Sequence, residues 1–424
     1  MFGWEFPPHI AGGLGTACLG LTKGLCRQDV EVLFVMPKAS GDEDQSAVKI
    51  INASDIETNF YGLNYEEYVK NIKFLEIGSN LVPYLDPETF ENEVNEQQKY
   101  SSLSESISYK NKYTFSGKYG ANLMEEVARY AVVAATIAKQ QEFDVIHAHD
   151  WLTYPAGIAA KKVSGKPLVI HVHATEFDRT GENVNQMVYD IERQGMEEAD
   201  RVITVSNLTR NIVITRYGID PAKVFTVHNA VDFQSYSEMD VEKGVREKVV
   251  TFLGRITFQK GPEYFIEAAH KVLKAYPNVR FVMAGSGDLM NRSIRRVARL
   301  KIASHFHFTG FLKGQDVQKM FAYSDVYVMP SVSEPFGISP LEAMRSGVPT
   351  IISKQSGVAE VLKYALKVDF WDVDALADAI YGLLKYPALA TMAEKYGLEE
   401  VNAMKWDGAA VKLKDIYHGI CNNN

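Results

Sequence analysis

The sequence predicts an α/β protein of two domains, each built on a doubly wound parallel sheet. Short apolar runs bounded by turn residues, the pattern of strands buried on both faces, alternate with segments whose apolar residues recur at helical spacing. Such alternation favours parallel strands joined by right-handed crossover helices. A chain of 424 residues, with 46% hydrophobic and 23% charged residues, has core for more than one domain.

The predicted strands are too many for one doubly wound sheet of ordinary size. They lie at residues 30–36, 145–148, 168–172, 202–205, 249–253, 280–284, 325–329 and 350–352. Between them, residues 123–139 and 262–276 show helical spacing. The polar stretch 232–248 has no periodicity, so we place the domain boundary there. We predict a first domain over residues 1–232 and a second over residues 247–399.

Composition and charge exclude several classes of partner and site. A formal net charge of -8 argues against a nucleic-acid partner, and no apolar run reaches the length of an integral membrane segment. Three scattered cysteines, Cys18, Cys26 and Cys421, indicate a reducing, cytoplasmic setting. No cysteine and histidine spacing is that of a metal site, and the His-x-His pairs on predicted strands favour neutral core or active-site histidines.

Two regions depart from the strand and helix alternation. Residues 86–118 are polar and rich in Glu, Asn, Ser, Lys and Tyr, which predicts a mobile excursion of the first domain. At the N-terminus, Met1 and Phe2 lead directly into a loop over residues 3–8, so the strand that should precede this loop is nearly absent. We expect the intact protein to carry a few more apolar residues before Met1.

Residues 333–342, SEPFGISPLE, follow a predicted buried strand and precede a helix predicted over residues 340–346. The segment therefore places Glu334 and Glu342 at the carboxyl end of a strand, where open α/β sheets bind ligands. Gly337 allows a ligand to approach the backbone closely. Ser339 and Glu342 also have the spacing of a helix capping box, so Glu342 has a purely structural alternative. Glu334 lies before the cap and has no such alternative.

Two further loops have the composition of anion sites. Arg255 and Lys260 follow the strand 249–253, and two cations at a strand end can hold a diphosphate from two directions. Gly12, Gly13 and Gly15 precede a helical pattern, where backbone N–H groups can face an anion. The alternatives are solvated surface cations for the first loop and a flexible turn for the second.

Strand ends of the first domain also carry polar side chains. Asp150 and Trp151 follow the strand 145–148, and an exposed Trp beside Asp suits a sugar platform; a buried Trp that anchors the next helix is the alternative. His173 follows the strand 168–172 and opens the string HATEFDR, which also contains Glu176 and Asp178.

Together these residues resemble the retaining GT-B glycosyltransferases and, within them, the glycogen and starch synthases. The resemblance implies a nucleotide-sugar donor, an α-glucan acceptor and no cofactor or metal. It implies that the diphosphate is bound by Arg255 and Lys260 together with Gly12, Gly13 and Gly15. It implies that the donor sugar is held by Glu334, Phe336, Gly337 and Ile338, with His173 beside the anomeric carbon and Glu342 at the ribose. It also implies that the acceptor is held by Asp150 and Trp151.

The resemblance also implies front-face attack, in which the departing phosphate takes the acceptor's proton, although Glu176 and Asp178 stay open as carboxylates beneath the sugar. It implies that residues 400–424 cross back and pack on the first domain. One departure concerns the donor. Starch synthases usually place a lysine just before the double glycine, whereas Ile10 and Ala11 occur here. The choice between ADP-glucose and UDP-glucose therefore stays open.

Alternatives remain at the level of activity. Another retaining GT-B transferase could use a sugar phosphate or a cell-surface polysaccharide as its acceptor. A GT-B nucleotide-sugar epimerase would need no glycosyl acceptor, and a binding module would hold the donor without turnover. The sequence leaves the oligomeric state and regulation open.

Overall fold

A computed structural model describes residues 1–9, 13–58, 112–120, 122–231, 244 and 246–422. The predicted excursion at 86–118 falls mostly outside the described residues, and so do Gly12 and the domain boundary at Asp232. The predicted α/β architecture is confirmed, because the described strands form parallel sheets flanked by helices.

The first domain carries six strands among its described residues: β1 (Leu33–Met36), β2 (Lys49–Asn52), β3 (Ile146–His149), β4 (Leu168–Val172), β5 (Arg201–Thr204) and β6 (Val224–Thr226). Its helices are α1 (Gly13–Cys26), α2 (Leu123–Gln140), α3 (Tyr154–Ser164), α4 (Glu176–Thr180), α5 (Gln186–Glu198) and α6 (Asn207–Tyr217).

The sheet of the first domain is joined at its middle by a single residue. β3, β4, β5 and β6 pair in that order and in parallel, and β1 pairs in parallel with β2. Phe2 makes parallel bridges to both Val35 of β1 and Ala148 of β3. A cavity of about 540 Å³ lies beside this bridge and is lined on its two sides by residues such as Leu33 and Ile146. The expected segment before Met1 stays a prediction.

The second domain contains the strands β7 (Lys248–Leu253), β8 (Val279–Ala284), β9 (Phe306–Gly310), β10 (Val326–Met329), β11 (Thr350–Ser353) and β12 (Leu366–Val368). Its helices are α7 (Pro262–Ala275), α8 (Met290–Arg299), α9 (Gln315–Tyr323), α10 (Ser339–Arg345), α11 (Val373–Lys385) and α12 (Pro387–Ala403). The parallel strands lie in the order β12-β11-β10-β7-β8-β9, so the direction of winding reverses between β7 and β10.

Each sheet is buried between its helices. In the first domain, Tyr130, Trp151 and Ile170 belong to one apolar cluster of buried side chains. In the second, Phe252, Phe265 and Phe281 belong to another. Among the described residues, no helix combines the length and the apolar character needed to cross a lipid bilayer.

The last helix, α13 (Trp406–Cys421), lies on the first domain although it follows the second. It packs against α1, where glycines allow close approach: a Cβ on Gly20 would lie 2.1 Å from Trp406 Nε1, and one on Gly24 would lie 2.9 Å from Trp406 O. Arg27 Nε donates to Asp407 Oδ1 at 2.7 Å, at the start of the same interface. Residues that follow the second domain in the chain are therefore needed to complete the core around α1.

Candidate active site

Arg255, Lys260 and Glu334 meet at the point where the strand order of the second sheet reverses. The loop after β7 carries Arg255 and a 3₁₀ turn, Phe258–Lys260, while the loop after the neighbouring strand β10 carries Glu334. Lys260 Nζ donates to Glu334 Oε2, and Arg255 Nη2 donates to Gln259 Oε1 at 3.1 Å. Because such reversal points leave a crevice at the carboxyl ends of the strands, this is the expected position of a ligand site.

Glu334 is buried, with 6% of its surface exposed, and its backbone is tied to the next loop. Its N–H donates to Gln355 O at 3.0 Å, and its carbonyl accepts from Gly357 N at 2.8 Å. Gly337 packs against it with φ of 100°, and a Cβ at Gly337 would lie 3.1 Å from Glu334 Cγ. A side chain at residue 337 would therefore be strained and would push on the carboxylate.

The opposite domain presents a stack of four histidines at the carboxyl ends of β3 and β4. Ring centroids of His147 and His149 are 4.3 Å apart, and those of His171 and His173 are 4.4 Å apart. His149 Nδ1 lies 3.0 Å from His173 Nε2, and His147 Nε2 lies 3.2 Å from His171 Nδ1. Tyr417 of α13 closes the inner end through its hydroxyl, which bonds His147 Nδ1. The spacing of two along each strand places all four rings on one face of the sheet.

Burial keeps these rings uncharged. It lowers the pKa of His173 to about 3 and holds the pKa values of His147, His149 and His171 well below their usual range, and neighbouring rings of the stack add to the effect at those three. A neutral imidazole both donates and accepts one hydrogen bond. His173 can therefore bond a neutral hydroxyl group. This burial supports the expectation of neutral histidines, which stays a prediction.

The glycine loop is engaged by the protein's own carboxylate. α1 begins at Gly13, and the amide of Gly15 donates to Glu5 Oε1 at 3.1 Å. Tyr119 OH donates to the other oxygen of Glu5 at 3.2 Å. A phosphate that uses the Gly15 amide must therefore displace Glu5, so the phosphate role of Gly15 stays a prediction. Gly12 lies outside the described residues.

The two domains touch across the site. A Cβ on Gly13 would lie 3.4 Å from Ile338 Cδ1, and Ser333 Oγ donates to Asp178 Oδ1 at 2.5 Å. A Cβ on Gly181 would lie 3.7 Å from Phe258 Cε1, and the Phe258 ring is 53% exposed. The loops that carry the cations and Glu334 therefore face the glycine loop and the segment after His173.

Hydrogen bonds of Glu360 also link the two domains. Glu360 of the second domain accepts from the amides of Asn207 and Leu208, the first residues of α6, at 2.9 and 2.8 Å. His228 Nε2 contacts the same carboxylate at 2.7 Å. A carboxylate at a helix N-terminus is stabilised by the free N–H groups there. The contact links the two domains.

The family models match the two domains separately. The model of glycosyl transferases group 1 matches residues 237–400, which hold the cation pair, Glu334 and Glu342. The model of glycosyltransferase family 4 matches residues 119–235, which hold the histidine strands. This chain is a glycosyltransferase.

Several glycosyltransferases resemble this one in sequence. An uncharacterised glycosyltransferase of Methanocaldococcus jannaschii is 27% identical over 98% of this chain and 97% of its own. The glycogen synthase of Mycobacterium tuberculosis is 25% identical over 65% of this chain and 68% of its own. A UDP-Gal:α-D-GlcNAc-diphosphoundecaprenol α-1,3-galactosyltransferase of Escherichia coli is 26% identical over 66% of this chain and 76% of its own.

Solved structures show that the glycosyltransferase has the GT-B fold. Sucrose-phosphate synthase of Thermosynechococcus elongatus superposes with a TM-score of 0.69 at 18% identity, over 97% of this chain and 94% of that one. The Anabaena protein HepE, solved in complex with UDP-glucose, superposes with a TM-score of 0.58 at 19% identity, over 68% of this chain and 82% of that one.

The predicted capping box at Glu342 is wrong for this glycosyltransferase. α10 begins at Ser339, one residue earlier than predicted, with Ile338 as its N-cap and no side-chain cap bond. The Ser339 hydroxyl instead accepts from Tyr327 OH of β10 at 2.9 Å. The capping-box role of Glu342 is thereby removed, and its ribose role stays a prediction. Phe336 is buried, and its carbonyl accepts from Val358 N at 2.8 Å.

The expectation of an exposed Trp151 is also wrong. Trp151 is 1% exposed and lies in the core of the first domain, as the alternative reading had it. Asp150 is buried with φ of 64°, a conformation that is rare outside glycine and is often found at functional sites. Its Oδ1 has no hydrogen-bond partner, and burial raises the pKa of its carboxyl above the usual value. An acceptor role for Asp150 stays a prediction.

Glu176 and Asp178, which the sequence leaves open as nucleophiles, are bonded within the protein. Glu176 accepts from Arg179 Nε at 3.2 Å and from Asn185 N at 3.1 Å. Asp178 Oδ2 accepts from the amide and the hydroxyl of Thr175, each at 2.8 Å, in a capping box that opens α4. These bonds fix the segment after His173.

Sequence reasoning missed the loop that supports Arg255. Gly285, Ser286 and Gly287 follow β8, and Ile256 N donates to Ser286 O at 2.8 Å. A Cβ on Gly285 would lie 1.8 Å from Gly254 O, and one on Gly287 would lie 2.4 Å from Ile256 O. The signal was available, because a Gly-x-Gly pair directly after a predicted strand is typical of close backbone approach.

Proposed function

We propose that this glycosyltransferase moves glucose from ADP-glucose or UDP-glucose to the non-reducing end of an α-1,4-glucan, with retention of configuration. The observation that carries the proposal is the meeting of Arg255, Lys260 and Glu334 at the reversal point of one sheet, opposite the neutral His173 of the other. A nucleotide-sugar has the matching parts: a diphosphate that gains negative charge as it leaves and a neutral hexose rich in hydroxyl groups.

The second domain supplies the charge that the leaving group needs. Arg255 and Lys260 would stabilise the diphosphate as its bond to the anomeric carbon lengthens. Lys260 is bonded to Glu334, so donor binding would divide that ion pair. Lys260 would turn toward phosphate, and Glu334 would accept from a hexose hydroxyl. Two fixed cations can serve in place of a metal ion, which is why we expect no metal requirement.

The first domain would hold the hexose. Neutral His173 suits a hydroxyl group, whereas an imidazolium would oppose the positive charge that develops at the anomeric carbon. The internal bonds of Glu176 and Asp178 support front-face attack without a covalent intermediate, because neither carboxylate is available as a nucleophile without losing them. The acceptor's proton would then pass to the departing phosphate oxygen.

Phe258 is our candidate for the acceptor platform in place of Trp151. Its exposed ring lies between the two cations in sequence and faces Gly181 of the opposite domain. An exposed aromatic face at the mouth of a cleft can stack on the apolar face of a glucose ring. The glucan assignment is supported by the sequence similarity to a glycogen synthase and by the string HATEFDR.

A second candidate function follows from a second relative. The Escherichia coli galactosyltransferase has an acceptor linked to diphosphoundecaprenol and is as similar as the glycogen synthase. A lipid-linked sugar acceptor would use the same donor half-site. An epimerase remains the alternative from another reaction class.

The deciding experiment offers ADP-glucose, UDP-glucose and UDP-galactose with glycogen, maltooligosaccharides or a lipid-diphosphate-linked GlcNAc. We expect α-1,4-linked glucose to appear on glycogen, with the anomer identified by NMR. Transfer to the lipid acceptor alone would replace the glucan proposal with the second candidate. An isomerised nucleotide-sugar formed without any acceptor would assign the epimerase.

A further inference from the structure

Three metal-binding side chains meet between α1 and the histidine strands. One ring nitrogen each of His149 and His173 and the Sγ of Cys18 lie within 4.8 Å of one another. Cys18 and His149 are fully buried, and His173, at the end of β4, is partly exposed. Solvent can therefore reach this cluster from the His173 side.

The distances are close to those of a bound ion. Zinc bonds of about 2.0–2.1 Å to nitrogen and 2.3 Å to sulfur place tetrahedral ligands about 3.3–3.6 Å apart. His149 Nδ1 and His173 Nε2 are already 3.0 Å apart. Small side-chain rotations would bring Cys18 into range. His147 and His171 are less suitable, because both nitrogens of His147 are bonded, to Tyr417 and to His171.

A further observation concerns buried polar atoms in this region. His149 Nε2, the ring nitrogen that does not face His173, and Asp150 Oδ1 have no hydrogen-bond partner. Buried atoms of this kind are costly unless a partner satisfies them. A divalent ion would take the sulfur and nitrogen lone pairs of these side chains.

We propose that Cys18, His149 and His173 form an inhibitory binding site for Zn²⁺ or a divalent ion of similar softness. One thiolate and two imidazoles suit zinc better than magnesium or calcium, which prefer oxygen ligands. Binding forms the zinc–sulfur bond and releases the thiol proton of Cys18 to water. The fourth position of the ion stays open toward the cleft. This ion is an inhibitor, so the site is compatible with an enzyme that needs no metal.

The inhibition rests on the proposed function in one respect: His173 is taken to hold the donor hexose. An ion that takes a nitrogen of His173 and a hexose hydroxyl that bonds the same ring exclude each other. Zinc inhibition would then be competitive with the nucleotide-sugar, and the nucleotide-sugar would weaken zinc binding by mass action.

The test is a titration of the full chain with Co²⁺, followed by absorption, with Zn²⁺ as the displacing ion. We expect one ion per chain and a thiolate-to-cobalt charge-transfer band. Cys18→Ser and Cys18→Ala should abolish the band and weaken Zn²⁺ binding about 10-fold or more, at least the loss seen when groups behind a metal ligand are removed. Cys26→Ser and Cys421→Ser are matched controls, because both of these thiols are exposed.

A band that persists in folded Cys18→Ser or Cys18→Ala protein would overturn the site. His173→Gln gives an independent variant at the partly exposed ligand, in case both Cys18 variants unfold, and unchanged Co²⁺ binding there would have the same meaning. Competition between Co²⁺ and the nucleotide-sugar tests the donor role of His173 separately from the metal site. If the band requires Cys18 but no nucleotide-sugar weakens it, the metal site stands and the donor role of His173 falls.

Discussion

The two sides of the cleft differ in charge and in burial. On the first-domain side, four imidazole rings pack against each other on the face of a sheet and are held neutral by burial, and we call these rings the neutral side. The buried carboxylates of Asp150 and Asp178 follow them in the chain. On the second-domain side, Arg255 and the ion pair of Lys260 with Glu334 are carried on loops. The neutral side is preorganised by packing, whereas the charged side has partners that a ligand can replace.

This difference suggests a division of labour in glycosyl transfer. Charge near the leaving phosphate lowers the barrier, while a charge near the anomeric carbon would raise it. The predictions below test whether each side behaves as its chemistry requires, from the largest effect to the smallest.

The largest effect is expected on the charged side. Arg255→Ala should lower kcat roughly 10²-fold or more, the scale of losing one charge-stabilising donor in a transition state. Steady-state kinetics with the active donor measures it. Arg292→Ala, an exposed arginine on α8 paired with Glu263, is the control. A near-normal kcat would remove Arg255 from the mechanism.

The neutral side should appear in the pH dependence of folding stability. The folded state holds His173 with a pKa of about 3 against an unfolded value of 6.5, so below pH 6.5 the unfolded chain binds more protons. The full contribution of neutral His173 to the free energy of unfolding should therefore be present above pH 6.5. This contribution should decrease as the pH drops toward 3. Each such histidine contributes a slope of about 1.4 kcal/mol per pH unit.

Denaturant unfolding between pH 7 and pH 5 measures this slope. His171→Gln removes one of these histidines, so it should lower the slope by about 1.4 kcal/mol per pH unit, which corresponds to one proton. His418→Gln, at an exposed position on α13, serves as the control. An equal slope in His171→Gln and the parent protein would mean that the stack does not stay neutral.

A smaller effect is expected where the two sides touch. Ser333→Ala removes the bond from Ser333 Oγ to Asp178 Oδ1. A net loss of about 1 kcal/mol predicts about a five-fold decrease in kcat/KM, mainly through a weaker donor complex. Ser164→Ala, which removes a hydroxyl bond at the end of α3, is the control. An unchanged donor KM would show that this contact between the domains does not contribute to donor binding.

We expect no loss of activity when divalent metal ions are chelated. If Arg255 and Lys260 take the place of a metal ion, EDTA should leave kcat unchanged. A loss that Mg²⁺ or Mn²⁺ restores would contradict this and would assign part of the diphosphate binding to an ion.

The strands that the sequence predicted and those that it did not predict differ in their position within the sheets. Every predicted run corresponds to a strand, within a few residues at its ends. All of these strands but β1 and β3 pair with a strand on each side, and β1 and β3 are each bridged to Phe2 on their second side. The strands that the sequence did not predict, β2, β6, β9 and β12, lie at sheet edges. An edge strand is partly exposed, as the burial of Leu366–Val368 illustrates, so it carries no continuous apolar run.

Residues of the candidate site could be predicted where residue type and a position after a strand are sufficient to identify them. These residues are Arg255, Lys260, Glu334 and His173. The site was not predictable where a distant group decides the local bond. Tyr327 takes the hydroxyl that would have capped α10, and Glu5 takes the amide of Gly15. Trp151 is buried because a helix covers it, which its neighbours in sequence do not reveal.

The return of α13 to the first domain has a consequence for synthesis. Trp406 fills the space beside Gly20 of α1, so the pocket around α1 is not closed by residues of the first domain alone. A ribosome must translate the entire second domain before α13 emerges. Domains usually fold in order as they leave the ribosome, but here the first domain must wait for the last helix. A nascent chain halted after residue 399 would expose the apolar side of α1 to chaperones.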